Sequence, residues 1–189
     1  MIIDKDLIRK CIKGDRPSQE RLYRLCYPVL MKIGLRYANS RDDAHILLNA
    51  AFLKILLGLK KYRFEKPFEP WIKRIMINTI IDDHRKSKSQ DKKLPMTLVD
   101  EFEQTNNAVD LNLVEEQMYG EELQLMMQQL PPMTQKVFNL HVIDGYRHQE
   151  IAEMLQISKG TSKWHLSNAR KMLIELLKNS VQRIKMLVI

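Results

Sequence analysis

The chain has 189 residues, 31 Lys+Arg against 23 Asp+Glu, and a formal net charge of +8. That length fits one or two ordinary domains and exceeds what a disulfide-dependent miniprotein needs, while 44% apolar content argues against wholesale disorder. The absence of any run of about 18 apolar residues excludes a spanning helix. The start Met1-Ile2-Ile3-Asp4-Lys5-Asp6 has no basic residue followed by an apolar core and is not expected to act as a secretory signal. Cys11 and Cys26 are the only cysteines, which disfavours a disulfide framework or a zinc site and fits a reducing cytoplasm. No Walker A or G-x-G-x-x-G loop occurs, and no cofactor is implied. A basic surplus points to an acidic partner, nucleic acid or an anionic membrane.

Apolar residues recur at i, i+3 and i+4 throughout, and alternating strand patterns are scarce, so the expectation is an all-α protein. Asp4 to Lys13 reads as a short helix ended by Gly14. Asp15 caps a second helix with Pro17 in its first turn, a stripe from Leu22 to Tyr37, and a local bend at Pro28. After a turn at Asn39-Ser40-Arg41-Asp42, the stripe Ala44, Leu47, Leu48, Ala51, Phe52, Ile55, Leu56 and Leu59 predicts a helix from about Asp43 to Leu59. A loop over residues 62–69 precedes a helix opened by Pro70. Trp71, Ile72, Ile75, Met76, Thr79 and Ile80 are expected to face inward there, and Lys73, Arg74, Asn78, Asp82 and Arg85 away. Residues 94–112 read as a flexible linker, and helical pattern resumes near Leu111 and runs to Leu130. Beyond Pro131-Pro132 come a helix from Thr134 to Ile143, a turn at Asp144-Gly145-Tyr146, a short helix from Gln149 to Leu155, and a longer one from Gly160 to about Lys178.

Charge alternates along this order. Residues 54–93 hold twelve Lys/Arg and five Asp/Glu, a balance of +7. Residues 94–135 hold eight acids and no base, and residues 159–189 hold seven bases and one acid, a balance of +6. Two basic modules joined by an acidic connector are expected, spanning residues 1–93, 94–112 and 113–189.

Tyr146 to Lys163 has helix-turn-helix spacing. Ala152 is small where two helices cross, Ile151, Leu155 and Ile157 form a wedge, and Ser158 caps the second helix. Its outward side offers Thr161, Ser162, Lys163, His165, Asn168 and Arg170, types that bind phosphates and base edges in a major groove; Ser158 and Lys159 complete the expected contact set. For Trp164 packing, and for His165 solvation, is the plainer reading.

These residues resemble the fourth region of bacterial RNA polymerase sigma factors of the extracytoplasmic-function (ECF) group, through Leu130-Pro131-Pro132, Gly145-Tyr146, Glu150 to Leu155, Gly160 to Lys163 and Ala169-Arg170. Asp43-Ala44, Phe52 to Ile55, Trp71-Ile72, Arg74-Ile75, Asn78-Thr79, Ile81-Asp82 and Arg85-Lys86 resemble its second region. The resemblance implies a second-region-like bundle and a fourth-region-like helix-turn-helix domain. It implies a promoter-specificity subunit that is no enzyme and binds core polymerase at the β′ clamp and β flap. Docking would use Asp43, Leu47, Asn49 and Phe52. The −10 element would be captured by Lys73, Arg74, Asn78, Asp82, Arg85 and Lys86, and the −35 element read by the fourth region. An anti-sigma factor is a candidate further partner. The physical reading of Trp71 remains a core anchor after Pro70.

The chain departs from the family where acids and a Gln-Glu pair usually follow Asp43-Ala44. It has His45, Ile46, Asn49 and Ala50 instead, which implies weaker docking or a more apolar interface, and exposed surface at Ile46 hints at another partner. Gln135 stands where the family often has Arg. The alternative is a stand-alone helix-turn-helix regulator or a degenerate sigma-like competitor. Asp82-Asp83-His84 and Glu115-Glu116 do not converge as a catalytic site, because adjacent helical residues point about 100° apart.

Overall fold

Helix-starting side chains set the order of the first unit. In this computed structural model, which describes residues 3–38, 40–91 and 125–187, Asp4 accepts a hydrogen bond from the Asp6 N–H at 3.0 Å and opens α1, Lys5–Ile12. Asp15 accepts from the Ser18 N–H at 3.0 Å and opens α2, Arg16–Tyr37. Ser40 accepts from the Asp43 N–H at 3.0 Å and opens α3, Arg41–Gly58. Each cap satisfies a donor that a helix start leaves without an internal partner. Between α1 and α2, Gly14 sits at φ +84°, a conformation that favours glycine. The expected turn at Arg41-Asp42 is already helical, because Ser40 is the capping residue. The helix is continuous through Pro28. A short 3₁₀ turn, Leu59–Lys61, leads to α4, Phe68–Asp91. That helix starts two residues before Pro70, which still falls in the first turn where its missing N–H has no bond to make.

The chain divides into two compact units, Met1–Thr105 and Asn106–Ile189. In the first, α2, α3 and α4 pack pairwise and α1 lies on α2. Ile8, Leu22, Cys26, Leu30, Leu48, Ile55, Ile72 and Met76 are wholly or nearly wholly removed from solvent, which is the main stabilising term for such a bundle. The helices come closest at Gly34. A Cβ there would stand 3.2 Å from the Ala44 Cβ, 3.2 Å from the Met76 methyl and 3.3 Å from the Ala44 carbonyl oxygen. Thr79, buried on α4, donates its hydroxyl to the Ile75 carbonyl at 2.8 Å. Cys11 and Cys26 are buried free thiols, and burial pushes the Cys26 thiol up to about 12, so it is held protonated.

In the second unit, residues 125–128 are helical. Residues 111–124 of the helix expected over residues 111–130, and the whole expected linker over residues 94–112, lie outside the described residues, and residues 129 and 130 are already a turn. Next come α5, Pro132–Phe138, which runs into a π-helical turn, Asn139–Ile143, then α6, His148–Leu155, and α7, Lys159–Leu187. Both α5 and α6 pack on α7. Met126, Met127 and Leu130 close over Ala169 and Leu173, with Phe138, Met172 and Leu176 half-buried around them. All regular elements among the described residues are helical.

Candidate nucleic-acid interface

The second unit carries the helix-turn-helix. The Glu150 carboxylate accepts from the Arg147 N–H at 2.8 Å and fixes the start of α6. The turn then depends on Gln156, whose φ of +54° and ψ of +48° place it in the left-handed region. The Ile157 N–H closes that turn on the Ala152 carbonyl at 3.1 Å. Ile151 and Leu155 of the expected wedge are buried, as is Ala152 at the helix crossing, while Ile157 is half-buried. Ser158 accepts from the Thr161 N–H at 2.9 Å, caps α7, and shares a hydroxyl bond of 2.8 Å with Thr161. Its first turn therefore points outward with ordered N–H groups and exposed Lys159.

One expected contact is turned the other way. Ser162 is completely buried, and its hydroxyl lies 2.9 Å from His148 Nδ1. It shares the inward face with Leu166, Ala169 and Leu173, at i, i+4, i+7 and i+11, so it joins α7 to α6 and faces away from solvent. His165 is half-buried for a matching reason, with Nδ1 3.0 Å from the buried Thr134 hydroxyl on α5. Two hydroxyl–imidazole pairs thus tie α7 to both its supports. Asn168 is half-buried beside Met172, whereas Lys159, Lys163 and Arg170 are exposed. His141 stacks on His148 with ring centroids 4.3 Å apart, and its Nδ1 donates to the Tyr146 carbonyl at 2.8 Å.

Burial lowers the proton affinity of His148, helped by the His141 ring and by Lys163, Lys159 and Arg170, and burial alone lowers that of His165. Both imidazoles fall below the ordinary 6.5. The unfolded chain then binds protons more readily than the folded one. Stability is complete above about pH 6.5 and declines as pH drops through the lowered folded values. Thermal melts of the full chain from about pH 7.5 to about pH 5.5 should show this decline. It should be shallower in a His148→Gln, His165→Gln variant.

In the first unit, Arg74, Asn78, Asp82 and Arg85 fall at i, i+4, i+8 and i+11 along the exposed side of α4, with Lys86 exposed at its edge. Lys73 is a quarter-turn away and bonded to Glu69 at 2.7 Å, and its ammonium holds that carboxyl below the usual range. Asp82 is engaged by Lys54 of α3 at 2.9 Å, so the strip includes a base that the periodicity of α3 alone did not single out. Beside its N-terminal end, Tyr62 touches the rings of Phe64, Phe68 and Trp71 at centroid distances of 5.0–5.4 Å. Phe68 is buried and Trp71 half-buried against Gly58, as a core anchor is, while Phe64 stays 38% exposed. Lys60, Lys61, Arg63 and Lys66 are exposed around these rings. Cations interleaved with the Tyr62 and Phe64 rings are a kind of surface on which unstacked bases can be held, and the reading of residues 62–69 as a plain loop passes over it.

Helix α3 carries a different kind of surface. Asp43 is exposed and accepts from the Ser40 hydroxyl at 2.8 Å. Asn49 accepts from the Tyr23 hydroxyl at 3.0 Å, His45 Nε2 lies 3.3 Å from the Tyr27 hydroxyl, and Phe52 meets Tyr23 edge-on at 5.0 Å. Leu47 and Phe52 are half-buried. The exposed apolar line is Ile46, Ala50, Leu53 and Leu57, with the three larger residues 67%, 58% and 72% exposed. Periodicity assigned one stripe of α3 to the core, but this helix is apolar nearly all round and leaves a second stripe in water.

Among the described residues no group of three His, Cys, Asp or Glu is placed to hold a metal ion, and no helix is long and apolar enough to cross a membrane. The family model described as Sigma-70 region 2 matches residues 22–90, and the one described as Sigma-70, region 4 matches residues 120–173. The ECF RNA polymerase sigma-E factor of Escherichia coli is 25% identical over 189 residues, covering 96% of this chain and 95% of its own. The RNA polymerase sigma-H factor of Pseudomonas aeruginosa is 23% identical over 175 residues, covering 89% of this chain and 90% of its own. Among solved structures, the sigma factor RpoE of Bartonella quintana, crystallised with the anti-sigma factor NepR, is 20% identical, covers 84% of this chain and 96% of that one, and has a TM-score of 0.49.

Proposed function

Because the chain belongs to the sigma-70 family, in its extracytoplasmic-function group of transcription initiation factors, which are not enzymes, we propose that it is a promoter-specificity subunit of RNA polymerase. In this reading α3 docks on core, the exposed strip of α4 with the aromatic loop before it engages the −10 element, and α7 reads the −35 element. The observation that carries it is the capped start of α7, with Lys159, Lys163 and Arg170 exposed around a buried Ser162–Leu166–Ala169 seam. That arrangement presents cations along one flank of α7, and backbone N–H groups at its start, to phosphates clear of the helix supports. Run-off transcription with purified core tests it: promoter-dependent transcripts are expected, and failure to bind core where a control factor does so refutes it.

The partners proposed are core polymerase at its clamp and flap, promoter DNA, and an anti-sigma factor that would block docking by covering the α3 stripe. A second reading, a regulator or competitor without polymerase, draws on His45 and Asn49, which spend their polar groups on Tyr27 and Tyr23. A specific duplex footprint by the chain alone would favour it. The first reading is preferred because those same pairings leave the apolar stripe free to dock.

Lys163 and Arg170 leave α7 on one flank, where cations reach phosphates. Replacing both by Ala is expected to weaken holoenzyme binding to the −35 duplex about tenfold, and to reduce the slope of log K against log salt by about 2. A salt titration reads both. An unchanged slope removes them from the phosphate contacts.

A further inference from the structure

Trp164 is 60% exposed on α7, although a tryptophan with no task is normally drawn into a core. At 100° per residue it stands about 170° from the mean direction of Ser162, Leu166, Ala169 and Leu173, the pole of the helix farthest from its supports. Lys163 and Arg170 leave at about 70–90° from the buried direction. Both lie on the same flank, where cations meet a phosphate ridge of the groove, and a residue at the pole meets its floor.

Two neighbours prepare this position. A helical side chain leans toward the turn before it, so Trp164 lies over residue 160, which is Gly160. The fold does not require glycine there. A Cβ at Gly160 would meet only the Ser158 hydroxyl at an ordinary 3.5 Å. At this second position of α7 glycine fills no tight space, and it leaves the helix surface beneath Trp164 open to close approach from outside the chain. On the other side, the His165 ring braces the indole at a centroid distance of 4.9 Å and 72°, and His165 is itself held by Thr134.

We propose that Trp164 sets base preference in the −35 major groove by an apolar contact between its indole and the C5-methyl of a thymine, with Gly160 leaving room for the duplex to close on it. The thymine methyl is the one apolar group among the base edges of that groove, and an indole offers mainly apolar area to meet it. This inference rests on the promoter-reading function proposed above.

The test is selection of duplexes randomised across the −35 region, using the full chain bound to core polymerase. The wild-type holoenzyme should select thymine at one position, Trp164→Ala should lose that preference, and Trp164→Phe should retain part of it. Replacing the selected thymine by deoxyuridine removes only the methyl. Wild-type affinity should then fall about fourfold, the worth of one buried methyl group, while Trp164→Ala should not respond. Identical selections by wild type and Trp164→Ala, or the same deoxyuridine effect in both, overturn the proposal and leave the promoter reading standing. Selection of no element at all by the wild-type holoenzyme overturns the promoter reading, and this proposal with it. Trp164 is exposed, so its removal opens no cavity, and matched melting curves for the three proteins would confirm that the comparison is between folded chains.

Discussion

Replacing Leu53 and Leu57 together by Asp is expected to lower affinity for core polymerase at least about a hundredfold, with little change in the stability of the chain. Both side chains are more than half exposed in the free protein, so the folded core does not depend on them. Burying a leucine against a partner is worth about 1.5–3 kcal/mol, and each factor of ten in affinity is about 1.4 kcal/mol. Two lost leucines therefore account for the hundredfold, and burying a carboxylate in their place adds to it. An apolar contact also predicts weak dependence on salt, because screening acts on charges and leaves apolar burial nearly untouched. Equilibrium titration of labelled chain with core, at low and high salt, measures both. Steep salt dependence together with an unaffected Leu53→Asp, Leu57→Asp variant would move docking to the exposed acids Asp42 and Asp43.

Gly34→Val is expected to destabilise the first unit by about 3 kcal/mol or more, enough to unfold a marginal bundle. A Cβ at this position already falls 3.2 Å from Ala44 and Met76, and the branched methyls of valine extend further into the same contact. The Met76 methyl can swing aside. The Ala44 carbonyl, 3.3 Å away, cannot move without shifting α3. Gly34→Ala should cost less, since overpacking is partly offset by the better helix propensity of alanine. Urea unfolding followed by far-ultraviolet circular dichroism reads these differences, and a Gly34→Val chain as stable as wild type would show that α2 and α3 separate at little cost.

How much of this could be read from the residues varies with the kind of interaction involved. The caps at Asp15 and Ser158 are legible in a short window, because a side chain bonds an N–H three residues on; Ser40 is as local, but the polar run from Asn39 to Asp42 reads equally well as a turn. The inward stripe of α4 is local in the same sense, although Ile77 and Ile81 are also buried and widen it. Gln156 escaped notice because a left-handed turn is usually marked by glycine, and here a residue with a side chain adopts it. Ser162 was misread because its polarity suggests solvent, whereas its partner His148 lies fourteen residues back on another helix. His45 reads as a lost docking group and Asn49 as a retained one, because the Tyr27 and Tyr23 hydroxyls that engage them lie on another helix.

The sequence by itself determined the helical class, the helix starts to within about two residues, the helix-turn-helix spacing and the alternation of charge, since each depends on residues a few positions apart or on a simple sum. Only the tertiary structure decided which apolar stripe of α3 stays in water, which polar residues of α7 turn inward, and that Trp164 stands at the pole of the reading helix. These depend on which face a neighbouring helix covers, and that neighbour is brought in from far along the chain by burial of the whole core.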